Sequence, residues 1–342
     1  MEPLISILIP AYNSQEWIAD TIESATAQTW PKKEIVVVDD GSSDQTLEIA
    51  RHFATKNVKV VTQPNQGAAA ARNSAYSLCQ GDYIQWLDAD DLLAPDKVEN
   101  QVRQLGNCRS QRTLLSGAWG YFIYRTRKAK FSPSSLWSNL TPADWLYRKM
   151  SQNLHMQTDN WLVSRELSNA AGPWDVRLWR DNDGEYFCRV ILASDGIEFV
   201  PEARSYYRRV GFKSVSYIGK SNKKLESLFL SMKLHIQYLR SLEESTRTRS
   251  ACLKYIRTWL PEFYPYRMDI VGQLEQMTAE LGGQLEEPRL SWKYDWIVKC
   301  FGWHPGRRAQ RLLPQLKSSL IATWDKTMFL LENRFAAGQF RT

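Results

Sequence analysis

Tyr83-Ile84-Gln85-Trp86-Leu87-Asp88-Ala89-Asp90-Asp91 runs from a largely apolar segment straight into three carboxylates within four residues. A short apolar run ending in a turn suits a strand covered on both faces. The carboxylates that follow it would repel one another and destabilise the fold unless water or a cation compensates them. Oxygen-only ligands favour Mg2+ or Mn2+ over zinc, and an ion of that kind borrows further ligands from a substrate's phosphates. The segment therefore points to a diphosphate-bearing substrate. A solvated acidic turn ahead of a helix starting near Pro95 has the same composition.

Upstream, the same alternation repeats. Residues 4–9, 34–38 and 58–62 are short runs rich in β-branched residues, and the stretches 16–29, 44–55 and 67–79 between the four runs carry apolar residues at helical spacing. Strand and helix in turn predict an α/β fold, a mostly parallel sheet with helices on both faces. Ligands of such sheets bind at the carboxyl ends of the strands. There the chain places Pro10-Ala11-Tyr12-Asn13, Asp39-Asp40-Gly41-Ser42 and Asn65-Gln66-Gly67. Each of these, alone, is explained as a turn. Arg72 lies near the start of the third helix, within reach of an anion beside its positive dipole end.

Residues 100–220 are mixed. From 221 onward helical stretches dominate, as at 223–245 and 310–335, broken by Pro261, Pro265, Pro288, Pro305 and Pro314. A chain of 342 residues exceeds the usual size of one core, so two units are expected, 1–220 and a helical extension 221–342. Charge divides at the same place. Residues 1–220 hold 25 basic and 25 acidic side chains, and 221–342 hold 19 and 12, so the whole +7 lies in the extension. Within it, 289–317 carries seven basic residues and one acid among Trp292, Trp296 and Trp303. That composition suits peripheral contact with an anionic membrane, and equally tryptophans that pack the extension's own core against the rest of the chain beside solvated basic side chains. No recognised motif for nucleic acid accompanies the charge, and none is expected as a partner.

No run reaches the ~18 apolar residues of a spanning helix, and the residues after Met1 do not read as a secretory leader. Five scattered cysteines, Cys79, Cys108, Cys188, Cys252 and Cys300, are expected to be reduced thiols acting as small buried apolar residues. A cytoplasmic location, with the inner membrane face as the peripheral site, follows as an expectation.

Taken in chain order, Pro10-Ala11-Tyr12-Asn13, Val38-Asp39-Asp40-Gly41-Ser42-Ser43-Asp44-Gln45-Thr46, Asn65-Gln66-Gly67, Arg72-Asn73 and Asp88-Ala89-Asp90-Asp91 closely resemble glycosyltransferase family 2, of the GT-A fold. The resemblance is strong over residues 3–100, weaker to about 215, and does not extend into 221–342. It implies an inverting transferase that uses a nucleoside-diphosphate sugar, a UDP-sugar being favoured, with Mn2+ or Mg2+. Residues 1–100 would bind the donor and 101–220 would form the acceptor side. Tyr12 and Asp40 would contact the base, with Pro10, Asn13, Asp39, Asn65 and Gly67 in the same pocket and Arg72 supporting the nucleotide. Asp88 and Asp90 would form the DXD motif, Asp90 ligating the metal directly and Asp91 sharing that task.

In the family an acidic pair, Glu-Asp, followed six residues later by Arg, lies near the acceptor. Here Asn182-Asp183-Gly184-Glu185-Tyr186-Phe187-Cys188-Arg189 resembles it, with Asn in place of Glu. Asp183 is the implied general base, with Asp181 and Glu185 as competitors and a helix N-cap as its plain structural alternative. His155, Asp159 and Asn160, ahead of the apolar run 161–163, suit either the acceptor side or, as a lone His near a core segment usually does, a structural role, and Arg208, Arg209 and Lys213 occupy the place of a loop closing over the diphosphate. The Gln-x-x-Arg-Trp pattern of processive synthases is absent, so single-sugar transfer to a carbohydrate, lipid-linked or protein acceptor is implied, as in bacterial polysaccharide biosynthesis. Two other classes compete. The altered Asn182 suits a degenerate sugar-nucleotide-binding protein. A sugar nucleotidyltransferase would need a Gly-rich, basic loop after 4–9, which Pro10-Ala11-Tyr12-Asn13 does not provide.

Overall fold

Nine strands organise the chain in a computed structural model that describes residues 2–108, 110–209, 221–288 and 290–339. They are β1 (Ile5–Ala11), β2 (Lys33–Asp39), β3 (Val58–Thr62), β4 (Tyr83–Trp86), β5 (Leu92–Leu93), β6 (Thr113–Phe122), β7 (Lys130–Phe131), β8 (Val163–Ser164) and β9 (Gly196–Arg208). The first sheet has the order β3-β2-β1-β4-β8, with β8 antiparallel to β4 and the other pairs parallel. A second sheet has the order β5-β9-β6-β7.

The helices are α1 (Ile18–Thr26), α2 (Thr46–His52), α3 (Ala68–Leu78), α4 (Lys97–Leu105), α5 (Pro142–Gln152), α6 (Arg165–Ala171), α7 (Asn182–Ala193), α8 (Asn222–Leu242), α9 (Thr246–Phe263), α10 (Met268–Glu280), α11 (Asp295–Phe301) and α12 (Trp303–Gln339). Successive side chains of a strand point to opposite faces. Ile5, Ile7 and Ile9 of β1 therefore join Ile18 and Ile22 of α1 and Val98 of α4 on one face. Leu8 joins Ala71 and Ala75 of α3 on the other. Coverage on both faces explains why the strand reads as a continuous apolar run.

Chain order moves outward from β1 through β2 to β3, then returns to β4 on the other flank of β1. A crevice at the carboxyl ends is expected at that reversal. β4 pairs with β1 no further than Leu8, so Pro10, which has no N–H to donate, lies past the last β4 partner. The two strands part there, and the carboxylates of 88–91 follow directly.

The long parallel pairing of β6 with β9 was not legible as strand signal in the sequence. Its register shifts between Gly117 and Ala118, and a Cβ on Gly117 would collide with the Ala203 carbonyl oxygen. Gly117→Ala should therefore destabilise the fold by about 1–3 kcal/mol, as overpacking does. Urea unfolding should show a lower midpoint at unchanged slope.

Helices α8 to α10 do not stand apart from residues before 220. Leu228, Met232, Ile256, Phe263 and Leu274 share one hydrophobic cluster with Trp145 of α5 and Phe187 of α7. Change comes further along. In α12 Leu316, Leu320 and Trp324 are exposed, while Asp325 accepts hydrogen bonds from the backbone N–H groups of Tyr124 (2.9 Å) and Arg125 (3.3 Å) and pairs with Arg125 Nε at 2.7 Å. The cysteines are free as expected; Cys79, Cys188 and Cys252 are buried, but Cys300 on α11 is exposed, because that helix leaves the shared core.

Candidate active site

The loops after β1 and β2 are laced together. Asn13, with a left-handed φ of 48°, donates its backbone N–H to Ser42 Oγ (3.0 Å) and accepts from the Ser43 N–H at Oδ1 (2.9 Å). Tyr12, next to it, projects with half its surface exposed. Asp39 is buried and accepts from Thr62 Oγ1 at 2.8 Å. Asp40 accepts from the N–H groups of Gln66 (3.0 Å) and Gly67 (2.8 Å) and from Gln63 Nε2 (2.8 Å). Its backbone carbonyl accepts from Asn65 Nδ2 at 2.9 Å. Asp40 thus holds the loop that starts α3, a role the sequence did not disclose, and Gln63 is its unforeseen partner.

Arg72 on α3 joins two parts of the chain. Its guanidinium donates to Asp88 Oδ1 (2.5 Å) at the end of β4 and to Asn182 Oδ1 (3.2 Å) at the start of α7. It lies 4.4 Å over the ring of Trp174, which stacks on Tyr186 at 4.0 Å between centroids. This support fixes a long side chain that would otherwise sample many rotamers. Asn73 clamps the same segment, exchanging hydrogen bonds with the Trp174 backbone at 2.8 and 2.9 Å.

Three acids crowd the start of α7, and two are spoken for. Glu185 is buried in a bidentate pair with Arg189 (2.7 and 2.8 Å) and accepts from the Tyr238 hydroxyl at 2.7 Å. Asp181, at φ 56°, accepts from Ser231 Oγ of α8 at 2.6 Å. A Cβ at position 184 would collide with its carboxylate, so Gly184 permits the turn. Asp183 receives no side-chain donor among the described residues. Burial first, and the charge of Asp181 second, push its carboxyl above the ordinary range, against the pull of Arg72.

Residues 6–167 match the model of glycosyl transferase family 2. The chain carries a family 2 glycosyltransferase domain. Chondroitin synthase of Escherichia coli is 48% identical over 99 residues, which is 28% of this chain and 14% of that protein. An uncharacterised glycosyltransferase of Haemophilus influenzae is 43% identical over 103 residues, 29% of this chain and 41% of that protein. The chain therefore spans less than half the length of these relatives. Among solved structures, S. aureus TarS 1-349 in complex with UDP-GlcNAc superposes with a TM-score of 0.63 at 19% identity, over 81% of this chain and 80% of that one. The fold is GT-A, with a helical C-terminal region.

In this family 2 domain the carboxylates after β4 face different ways. Asp91 is buried and accepts from the Arg208 N–H at 2.7 Å, so it fastens the end of β9 instead of opening toward a ligand. Asp88 is partly exposed beside Arg72. Asp90 is pushed up to about 7, first by burial and then by the charge of Asp88. Two oxygen-bearing groups that destabilise each other's charge fit a hard divalent cation. Among the described residues no group of three His, Cys, Asp or Glu side chains gathers to enclose a metal. A pair of this sort suits an ion that takes its remaining ligands from phosphate and water.

Several expected positions lie elsewhere. Asp159 and Asn160 are fully buried, Asn160 accepting from Ser205 Oγ and, at its carbonyl, from Gln101, so they belong under the sheet and not to an acceptor surface. His155 is exposed beside Tyr121, 3.3 Å from its hydroxyl. Arg208 is buried too. Its guanidinium donates to Asp20 (3.0 Å) and the Asp90 carbonyl (2.8 Å) and lies 4.3 Å over Trp17, which leaves no charge for a diphosphate. Arg209 is exposed over the Tyr121 ring, and Lys213 lies outside the described residues. Trp179 was not foreseen: its ring sits against Gly67 and carries Lys223 of α8 at 3.3 Å, so the helical region reaches the loop that starts α3.

Proposed function

We propose that the chain transfers a sugar from a UDP-sugar to an acceptor hydroxyl by direct displacement, inverting the anomeric carbon. The observation that carries this is the Arg72 bridge, which ties Asp88 of the donor end to Asn182, the neighbour of Asp183. Donor and base are thereby held in one frame. Asn182 keeps the hydrogen bond to Arg72 without adding a carboxylate, so the altered motif still supports the bridge.

Tyr12 offers an exposed ring to the base of the nucleotide, and Asn65 and Gly67 form the wall that Asp40 holds in place. Asp88 and Asp90 would hold Mn2+ or Mg2+, which, when bound, neutralises charge growing on the departing diphosphate. Asp183 accepts the proton of the attacking hydroxyl. Its affinity for protons, raised by burial and by Asp181, suits that task. The UDP-GlcNAc of the TarS complex and the carbohydrate named for the chondroitin synthase support a uridine donor and a sugar acceptor.

A thermal-shift panel of UDP-, GDP-, dTDP- and CDP-sugars with Mn2+ should single out the UDP series, since a ligand of the native state raises its apparent stability. Release of UDP with a suitable acceptor, and the anomeric configuration of the product by NMR, complete the test. No response to any sugar nucleotide would end the proposal. Release of pyrophosphate from a sugar phosphate and nucleoside triphosphate would replace it with nucleotidyl transfer.

A further inference from the structure

We infer that the outer face of α12 seats on an anionic lipid surface. Residues of a helix advance by about 100° each. Asp325, Phe329 and Glu332 accordingly share one face, and it is the face that docks: Asp325 and Glu332 pair with Arg125, and Phe329 packs on Tyr124 at 5.9 Å. Leu313, Leu316, Leu320, Trp324 and Leu331 fall on the opposite face. They are 52, 62, 74, 65 and 41% exposed. At the helical rise this apolar stripe is ~27 Å long, and a water-exposed strip of that extent marks a surface that is covered in use.

Charge selects the cover. Residues 290–339 hold eight basic side chains and three acids, and two of those acids, Asp325 and Glu332, are turned inward to Arg125 and Arg127. Lys317 is exposed beside the stripe, and Lys293 and Lys299 ahead of α12 and Arg308 in its first turns are exposed as well. Trp292 and Trp296, preceding α12, are 77 and 61% exposed. Leucine and tryptophan on one face of a helix with basic residues beside them form the pattern of an interfacial helix on anionic lipid. A second copy of the chain would set this basic surface against itself. Among the described residues no helix is long and apolar enough to cross a membrane, so the contact is one of lying on the surface.

The structure moves the contact away from the stretch 289–317 that composition alone suggests. Arg307 is buried against Glu262 at 2.7 Å and Trp303 donates to the Pro288 carbonyl, so both serve packing. The apolar part of the surface lies instead further along α12.

The test is vesicle co-sedimentation of the full chain, with phosphatidylcholine alone and with phosphatidylcholine containing phosphatidylglycerol, at low and high salt. Binding should appear on the anionic vesicles and fall at least ~10-fold with salt, as screening requires. Leu316→Glu/Leu320→Glu/Trp324→Glu should abolish it, and Lys293→Glu/Lys299→Glu/Arg308→Glu should weaken it. These positions are exposed, so circular dichroism and the donor-induced thermal shift should match wild type, which separates this proposal from that of the transfer reaction. Equal binding to both vesicle types, or binding to neither, overturns the inference. So does a dimer in light scattering that the leucine substitutions dissolve.

Discussion

Replacing Asp183 with asparagine is expected to lower sugar transfer by ~10²–10⁴-fold, the usual worth of a general base, while leaving donor affinity unchanged. The substitution keeps the shape of the side chain and removes its capacity to take a proton. No side-chain donor binds Asp183 among the described residues, so the change breaks no ion pair, whereas Glu185 is committed to Arg189 and Tyr238 and Asp181 to Ser231. Acidity adds a second readout. Burial and Asp181 raise the Asp183 carboxyl above its ordinary value. Wild-type transfer should therefore fall as pH drops through a point above the usual carboxylate range, where the base becomes protonated. In the asparagine variant the residual rate should lose that limb. Initial rates across pH at saturating donor check both statements, and near-normal turnover would move the base to Asp181 or Glu185.

The first hundred residues were legible because their physics is local. β1, β2 and β4 are covered on both faces and so read as apolar runs; residues 58–62 became the edge strand β3 with the expected bounds, and 67–79 became α3, Ala68–Leu78. Past residue 100, pairing is remote. β6 and β9 lie side by side although some eighty residues separate them, and nothing near Gly117 announces Ala203 as its neighbour. The same limit governs the site. The sequence places Asp88 and Arg72 correctly on their elements, yet the join through Asn182 depends on how α7 packs, with Trp174 as its platform. Asp159 and Arg208 misled because charge suggests exposure. Each is buried, and Lys97, beside Asp159, is buried as well and hydrogen-bonded to Gln85. The change of composition at 221 suggests an appendage. Its first three helices nevertheless complete the core around α7, and Ser231 and Tyr238 of α8 hold the acids beside Asp183.

Alanine at Asp90 should abolish metal-dependent donor binding and lower transfer by ~10³-fold or more, since a Lewis acid at a departing diphosphate is worth several kcal/mol. Asp90 is pushed up to about 7, by burial and then by Asp88, so near neutral pH its carboxyl holds a proton part of the time. A divalent cation must displace that proton, and donor binding in Mn2+ should strengthen as pH rises through about 7, with proton release. Stability should respond in the opposite sense. A carboxyl whose folded pKa is raised contributes stability that is present below its unfolded value near 4 and is lost as pH rises toward about 7. Above pH 7, Asp90→Ala should thus be at least as stable as wild type, because it removes a buried charge repelled by Asp88, and loss of activity is not loss of fold. Calorimetry of donor binding with Mn2+ and with excess chelator, beside thermal unfolding over the same pH range, distinguishes the two. Unchanged donor affinity in Asp90→Ala, or in wild type with chelator, would take the metal out of the mechanism.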